Sequence, residues 1–172
     1  MFYYRIDSIK NNGRRDILYI KGVRELNRAE FLWFLNSIYS DGDYIDFVAT
    51  LVDEDMEEQV DFIKNVVLGG NFYNIHYRTA MGPSLHLCIT GTAFPSEYMV
   101  MKYNKYLSKY KQIEEIYSIE KVSAAKISDE LRKRKKYYEN KKIETKTDPN
   151  FDLKSEKLWV FTDVWFMPFE LL

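Results

Sequence analysis

Cysteine occurs once in this chain, at position 88, so no disulfide can form within it, and the composition suits a reducing cytosol. Long apolar runs are missing. The start, MFYYRIDSIK, has no apolar core of signal-peptide length, and no stretch of 18 apolar residues could cross a bilayer. The expectation is a cytoplasmic protein with no membrane contact. Signatures of chemistry are missing as well: there is no G-x-x-x-x-G-K-[ST], G-x-S-x-G, H-E-x-x-H or paired C-x-x-C. Histidine appears only at 76 and 86, and neither begins an H-x-[ST] pair of two-histidine phosphoesterase type. No cofactor and no metal are expected, and catalysis is the minority reading. No tandem repeat stands out.

What is present is a globular composition, 46% hydrophobic and 30% charged, in 172 residues, enough for one domain with a sizeable core. Net charge is −1, yet the charges are segregated. Between 41 and 62 stand nine acids (Asp41, Asp43, Asp46, Asp53, Glu54, Asp55, Glu57, Glu58, Asp61) and no Lys or Arg. Between 102 and 142, 13 basic residues face six acids. Near-neutrality is the sum of two opposed fields.

Periodicity predicts the elements. Segments 2–9 and 15–22 flank Asn12-Gly13, a dipeptide tolerant of positive φ, and read as a hairpin. Asn27 with Glu30 three residues on opens a helix to about 39, carrying Phe31, Leu35 and Ile38 on one stripe. The clean alternation of 44–52 is a strand. Asp53 is expected to open a second helix, 54–68, with Val60, Ile63 and Val67 inward and Gly69-Gly70 stopping it. A second hairpin, 72–79 with 84–91, turns around Met81-Gly82-Pro83. From Pro95-Ser96 a long helical stretch is expected, with Met99, Tyr103, Tyr106, Tyr110, Ile113 and Tyr117 on its seam, followed by a helix at 123–140. Residues 139–157 read as a polar loop, and 158–167 as a central strand buried on both faces. The sum is a single α+β domain over 1–172, a mostly antiparallel sheet of about six strands packed by helices at 27–39, 54–68 and 96–140.

Three constellations carry functional readings. In the second hairpin, matching the apolar faces requires paired residue numbers to add to an even value. With a sum of 162, His76 lies opposite His86, on a face shared with Asn74, Arg78, Ser84, Cys88 and Thr90. Two imidazoles beside Arg78 could bind a phosphate, relay protons or, with Cys88, hold a metal, though a zinc site normally needs three or four ligands; the plainer reading is the solvated or helix-covered polar face of a sheet. The run Arg132, Lys133, Arg134, Lys135 and Lys136 projects around most of a helix and could contact phosphates of a nucleic acid, or be a solvated face paired with the acidic stretch. The alternating Lys102, Lys105, Lys109 and Tyr103, Tyr106, Tyr110 raise the alternative of a cationic, aromatic surface on which nucleic-acid bases stack, but the plainer reading is an inward tyrosine seam beside an exposed lysine stripe.

Third, the acids Asp53, Glu54, Asp55, Glu57 and Glu58 could imitate a nucleic-acid backbone and occupy the basic groove of a protein partner that handles DNA or RNA. Small proteins rich in Lys, Tyr, Ile and Asn and lacking catalytic motifs are common among phage and mobile-element accessory proteins. The leading expectation is accordingly a non-enzymatic inhibitor or regulator of a nucleic-acid-processing protein. Direct nucleic-acid binding by the basic helix, and a ligand or enzyme site at His76, Arg78, His86 and Cys88, are the alternatives.

Overall fold

The structure, a computed structural model, describes residues 1–39, 44–147, 161 and 163–172. Asp41 and Asp43, and the part of the expected loop and final strand at 148–160, lie outside the described residues. The class is α+β, with eight strands in two sheets of four rather than one sheet of about six.

The first hairpin joins β1 (Phe2–Lys10) and β2 (Arg15–Gly22) through Gly13 at φ +79°. Asn27 then caps α1 (Arg28–Trp33) in a reciprocal box: its side chain accepts from the Glu30 N–H at 3.1 Å, and the Glu30 carboxylate accepts from the Asn27 N–H at 3.0 Å. The helix widens into a π-type turn to Tyr39. β3 (Tyr44–Val52) returns antiparallel to β1. Tyr4, Ile6, Leu18 and Ile20 of the hairpin bury against Phe31, Phe34, Leu35 and Phe47. Each such side chain contributes about 1.5–3 kcal/mol by leaving water.

The expected helix 54–68 is not formed. Only a 3-10 turn, Glu54–Glu58, follows Asp53, and the chain then runs extended to β4 (Val67–Leu68), parallel to β2. The sheet edge outcompetes the helix for backbone groups. The Ile63 N–H donates to Tyr19 O at 2.9 Å and the Val23 N–H to Leu68 O at 2.9 Å, while the Phe62 ring packs on Tyr3 and Tyr19. The first sheet is ordered β3-β1-β2-β4.

β5 (Asn71–Thr79) and β6 (Ser84–Gly91) form the second hairpin, turning at Gly82 with φ +100°. Ser96 caps the short α2 (Glu97–Met101), and two 3-10 turns carry the chain to Lys111. Where the helical seam was expected to continue, Ile113 and Tyr117 instead lie in a strand, β7 (Ile113–Val122), antiparallel to β5. The seam itself divides: Tyr103 is buried, whereas Tyr106 and Tyr110 are exposed. α3 (Ala124–Thr147) then extends through residues expected to begin the polar loop. β8 (Asp163–Pro168) closes the second sheet, ordered β7-β5-β6-β8. It stands at the edge of this sheet and is half-buried, not a central strand, and its Phe166 packs on Trp33 and bridges in parallel to Val66.

By packing, the chain divides into two compact units, Met1–Asn71 with Ile89–Pro95 and Trp165–Leu172, and Phe72–Cys88 with Ser96–Val164. Comparing the strands reveals a repeat that the sequence reading missed. β1 and β2 recur as β5 and β6 with every boundary moved by 69 residues, from Phe2 to Asn71 and from Gly22 to Gly91, and β3 begins at Tyr44 as β7 begins at Ile113. The turns match bond for bond. The Lys10 N–H donates to Arg14 O and the Gly13 N–H to Lys10 O; at the same shift, the Thr79 N–H donates to Pro83 O and the Gly82 N–H to Thr79 O. A register slip between Ile9 and Lys10 in β1 recurs between Arg78 and Thr79 in β5. Tyr4, Ile6, Gly13, Leu18, Ile20 and Gly22 meet identical residues at 73, 75, 82, 87, 89 and 91.

Candidate functional site

The second hairpin brings its histidines together, as expected for a register sum of 162. The His76 and His86 rings stack with centroids 4.4 Å apart and planes 5° from parallel. Tyr117 sets its ring edge-on to His76 at 5.1 Å. His76 Nε2 lies 2.5 Å from Ser84 Oγ. The His86 Nδ1–H donates to Asn74 Oδ1 at 3.2 Å, leaving Nε2 as the acceptor nitrogen of a neutral ring. Burial lowers the His86 pKa, the charge of His76 and then of Lys126 lowers it further, and Glu120 and Glu130 oppose the shift. Lys126 and Glu130 belong to α3, so its first turns lie near this face; Ile127 and Glu130 are buried there.

Two residues expected at this site are otherwise engaged. Arg78 donates from Nη1 to Glu114 at 2.5 Å and from Nε to Glu115 at 3.2 Å, and this carboxylate pair claims its charge. Cys88 is fully buried, and burial pushes its thiol up to about 12, which removes it as a nucleophile near neutral pH. Among the described residues, no group of three His, Cys, Asp or Glu is placed to hold a metal. The cluster that remains is His76, His86, Ser84, Asn74 and Tyr117. Tyr117 escaped the sequence reading because it was assigned to a helix. Its arrival depends on a second register slip, between His76 and Tyr77, for which the first repeat has no counterpart. Chemically the cluster offers a serine hydroxyl in hydrogen-bond contact with one imidazole and a second imidazole stacked on the first.

The acidic residues occupy an exposed turn. Asp53 precedes the Glu54–Glu58 turn without a side-chain cap bond. Glu57 pairs with Lys21, which holds its carboxyl below the usual range, and the Tyr3 hydroxyl donates to Glu54 at 3.4 Å. Burial and then the two carboxylates push the Tyr3 hydroxyl up to about 12. Asp53, Asp55, Glu58 and Asp61 are exposed and make no ion pair among the described residues.

The basic run lies on α3. Arg132 pairs with Asp129, and Lys133 Nζ sits 3.0 Å from Glu130 Oε1, each three residues along the same helix. Arg132 and Lys133 thus have local acids. Arg134 is half-buried, and Lys135 and Lys136 are exposed. No helix among the described residues is long and apolar enough to cross a membrane.

Comparison with protein-family models, curated proteins and solved structures finds no match to this chain.

Proposed function

We propose that this is a non-enzymatic binding protein that regulates or inhibits a nucleic-acid-processing protein, presenting the turn 53–58 to a basic groove on that partner. The observation that carries the reading is the exposure of Asp53, Asp55 and Glu58 without cation partners among the described residues, on a turn anchored at Glu57 by Lys21. Carboxylates held together in this way repel one another, and an opposite field relieves the repulsion. Anchoring at Glu57 lowers the entropy lost when the turn docks.

The test starts from a pull-down in the source cells with and without nuclease, which identifies a protein partner that does not depend on nucleic acid. Changing Asp53, Glu54, Asp55, Glu57 and Glu58 to Asn or Gln should then cut the association rate tenfold or more at low salt and leave the circular dichroism spectrum unchanged, since steering charges act on the on-rate. An unchanged association rate sinks the proposal.

A second reading rests on the 2.5 Å approach of His76 Nε2 to Ser84 Oγ, a nucleophile-to-base distance. It makes the histidine face a small-ligand or catalytic site. Ser84→Ala and His76→Ala variants that retain every activity of the protein exclude it.

A further inference from the structure

We infer that the outward face of residues 97–111 is a binding surface for single-stranded nucleic acid. The inference is independent of the acidic turn. It rests on the repeat, which separates what this segment needs in order to fold from what it adds. Inward positions are apolar in both copies: Phe31 corresponds to Val100 and Phe34 to Tyr103, all buried. The remaining positions differ. Exposed Ala29 and half-buried Asn36 and Ser37 of the first copy become Tyr98, Lys105 and Tyr106 in the second, and Trp33, which packs against the first core, becomes the exposed Lys102. The first copy builds the same hairpin, helix and returning strand without lysines or tyrosines at these places, so the fold does not account for them.

Their presentation is that of a stacking platform. Tyr98, Tyr106 and Tyr110 are 72%, 45% and 59% exposed, an unusual investment of aromatic surface in water. Lys102 Nζ lies 5.1 Å from the Tyr98 ring centroid, and Lys105 Nζ 4.6 Å from that of Tyr106. From position 97 to 112 the chain has four lysines and one acid, the exposed Glu97 at its start. Of the four, Lys111 is held by Asp163 at 2.9 Å. Rings alternating with ammonium groups match a single strand, whose unpaired bases stack on aromatic faces while its phosphates meet the cations. A duplex hides its base faces and cannot use the rings.

The surface is also fixed in place. The Asn104 side chain donates from Nδ2 to Ile113 O at 2.9 Å and accepts from the Ile113 N–H at 2.6 Å, while the Tyr77 hydroxyl donates to Lys111 O at 3.0 Å. Binding therefore orders little protein, and the contacts are not spent on folding a loop.

The test is fluorescence anisotropy of the whole chain with labelled 20-nucleotide oligo-dT and oligo-U, a matching duplex, and poly-glutamate as competitor. Binding to the single strands is expected at low salt, weakening as salt rises, with the duplex at least tenfold weaker. Tyr106→Ala with Tyr110→Ala should weaken single-strand binding roughly tenfold or more, and Lys102→Glu with Lys105→Glu and Lys109→Glu should abolish it. All five side chains are exposed, and unchanged melting curves will show that the variants fold. The proposal is overturned by absence of binding at low salt, by tyrosine variants that bind as well as the parent, by poly-glutamate competing as well as oligo-dT, or by loss of binding on reversing Arg132, Arg134 and Lys136 instead. Neutralising the turn 53–58 should leave oligonucleotide affinity no weaker, which separates this surface from the one proposed above.

Discussion

At position 86 an imidazole stands where the first repeat places Ile17, and the exchange has a pH signature. Burial and the neighbouring charges of His76 and Lys126 hold the folded-state pKa of His86 below its ordinary value of about 6.5, against the weaker pull of Glu120 and Glu130. The unfolded chain therefore takes up this proton first as pH falls. The contribution is complete above about pH 6.5 and is lost as pH drops toward the folded pKa. Urea unfolding at pH 7.5 and 5.5 should show a larger loss of stability in the parent than in a His86→Ile variant; equal losses would place the pH dependence elsewhere. Cys88 makes a simpler prediction. With its thiol buried and pushed up to about 12, it should resist a water-soluble thiol reagent at pH 8 until denaturant is added, and labelling of the native protein within minutes would contradict its environment.

Elements defined by their own turn and cap chemistry were legible in the sequence. Gly13 and Gly82 sit at positive φ with open space around the missing Cβ, so the cost of a side chain there is conformational alone. Gly82→Ala should destabilise the protein by about 1 kcal/mol in urea melts, and Gly82→Asn by less, since Asn tolerates the left-handed region. An alanine without effect would mean that the turn relaxes. Asn27 is legible as a cap for the same local reason, and the shared face of His76 and His86 followed from strand parity, which leaves their direct opposition to the register. The expected helix at 54–68, and the expected continuation of the helical stretch from 96 through Ile113 and Tyr117, failed for a shared reason. Apolar residues three and four apart look alike in a helix and in a segment that alternates between loop and strand. The winner was set by distant partners: β2 took Val67 and Leu68, and β5 took β7. No local signal announces an open sheet edge elsewhere in the chain.

Over the whole molecule, the repeat stayed hidden because its copies agree chiefly where backbone and core demand it and diverge in charge and polarity elsewhere. Tyr4, Ile6, Leu18 and Ile20 return, while Asp7 becomes His76 and Tyr19 becomes Cys88. Gly22 and Gly91 return for a steric reason: a Cβ at Gly22 would stand 2.9 Å from Arg24 O, and one at Gly91 would collide with the Phe169 ring. Gly91→Ala should therefore cost about 1–3 kcal/mol, the range for overpacking, measured as a lowered denaturation midpoint. A neutral result would mean that the ring moves aside.

The strand order has a consequence for colloidal behaviour. Among the described residues β3 and β7 both end their sheets, and a terminal strand offers a row of unpaired backbone groups to any passing chain. β7 is guarded: Glu114, Glu115, Glu120 and Lys121 are exposed along it, and two register slips interrupt its flatness. β3 exposes Ile45, Val48 and Leu51 to 62%, 62% and 54%, with Asp46 as its one ionised side chain. Intermolecular strand addition should start there. Val48 lies opposite Asp7, so a lysine at that position gains a carboxylate neighbour while it deters pairing. Under agitation, Val48→Lys should lengthen the lag before light scattering rises, whereas Glu120→Val, which strips a guard from β7, should shorten it. If both variants aggregate like the parent, neither rim nucleates assembly, and concentrated stocks of the protein need protection at some other surface.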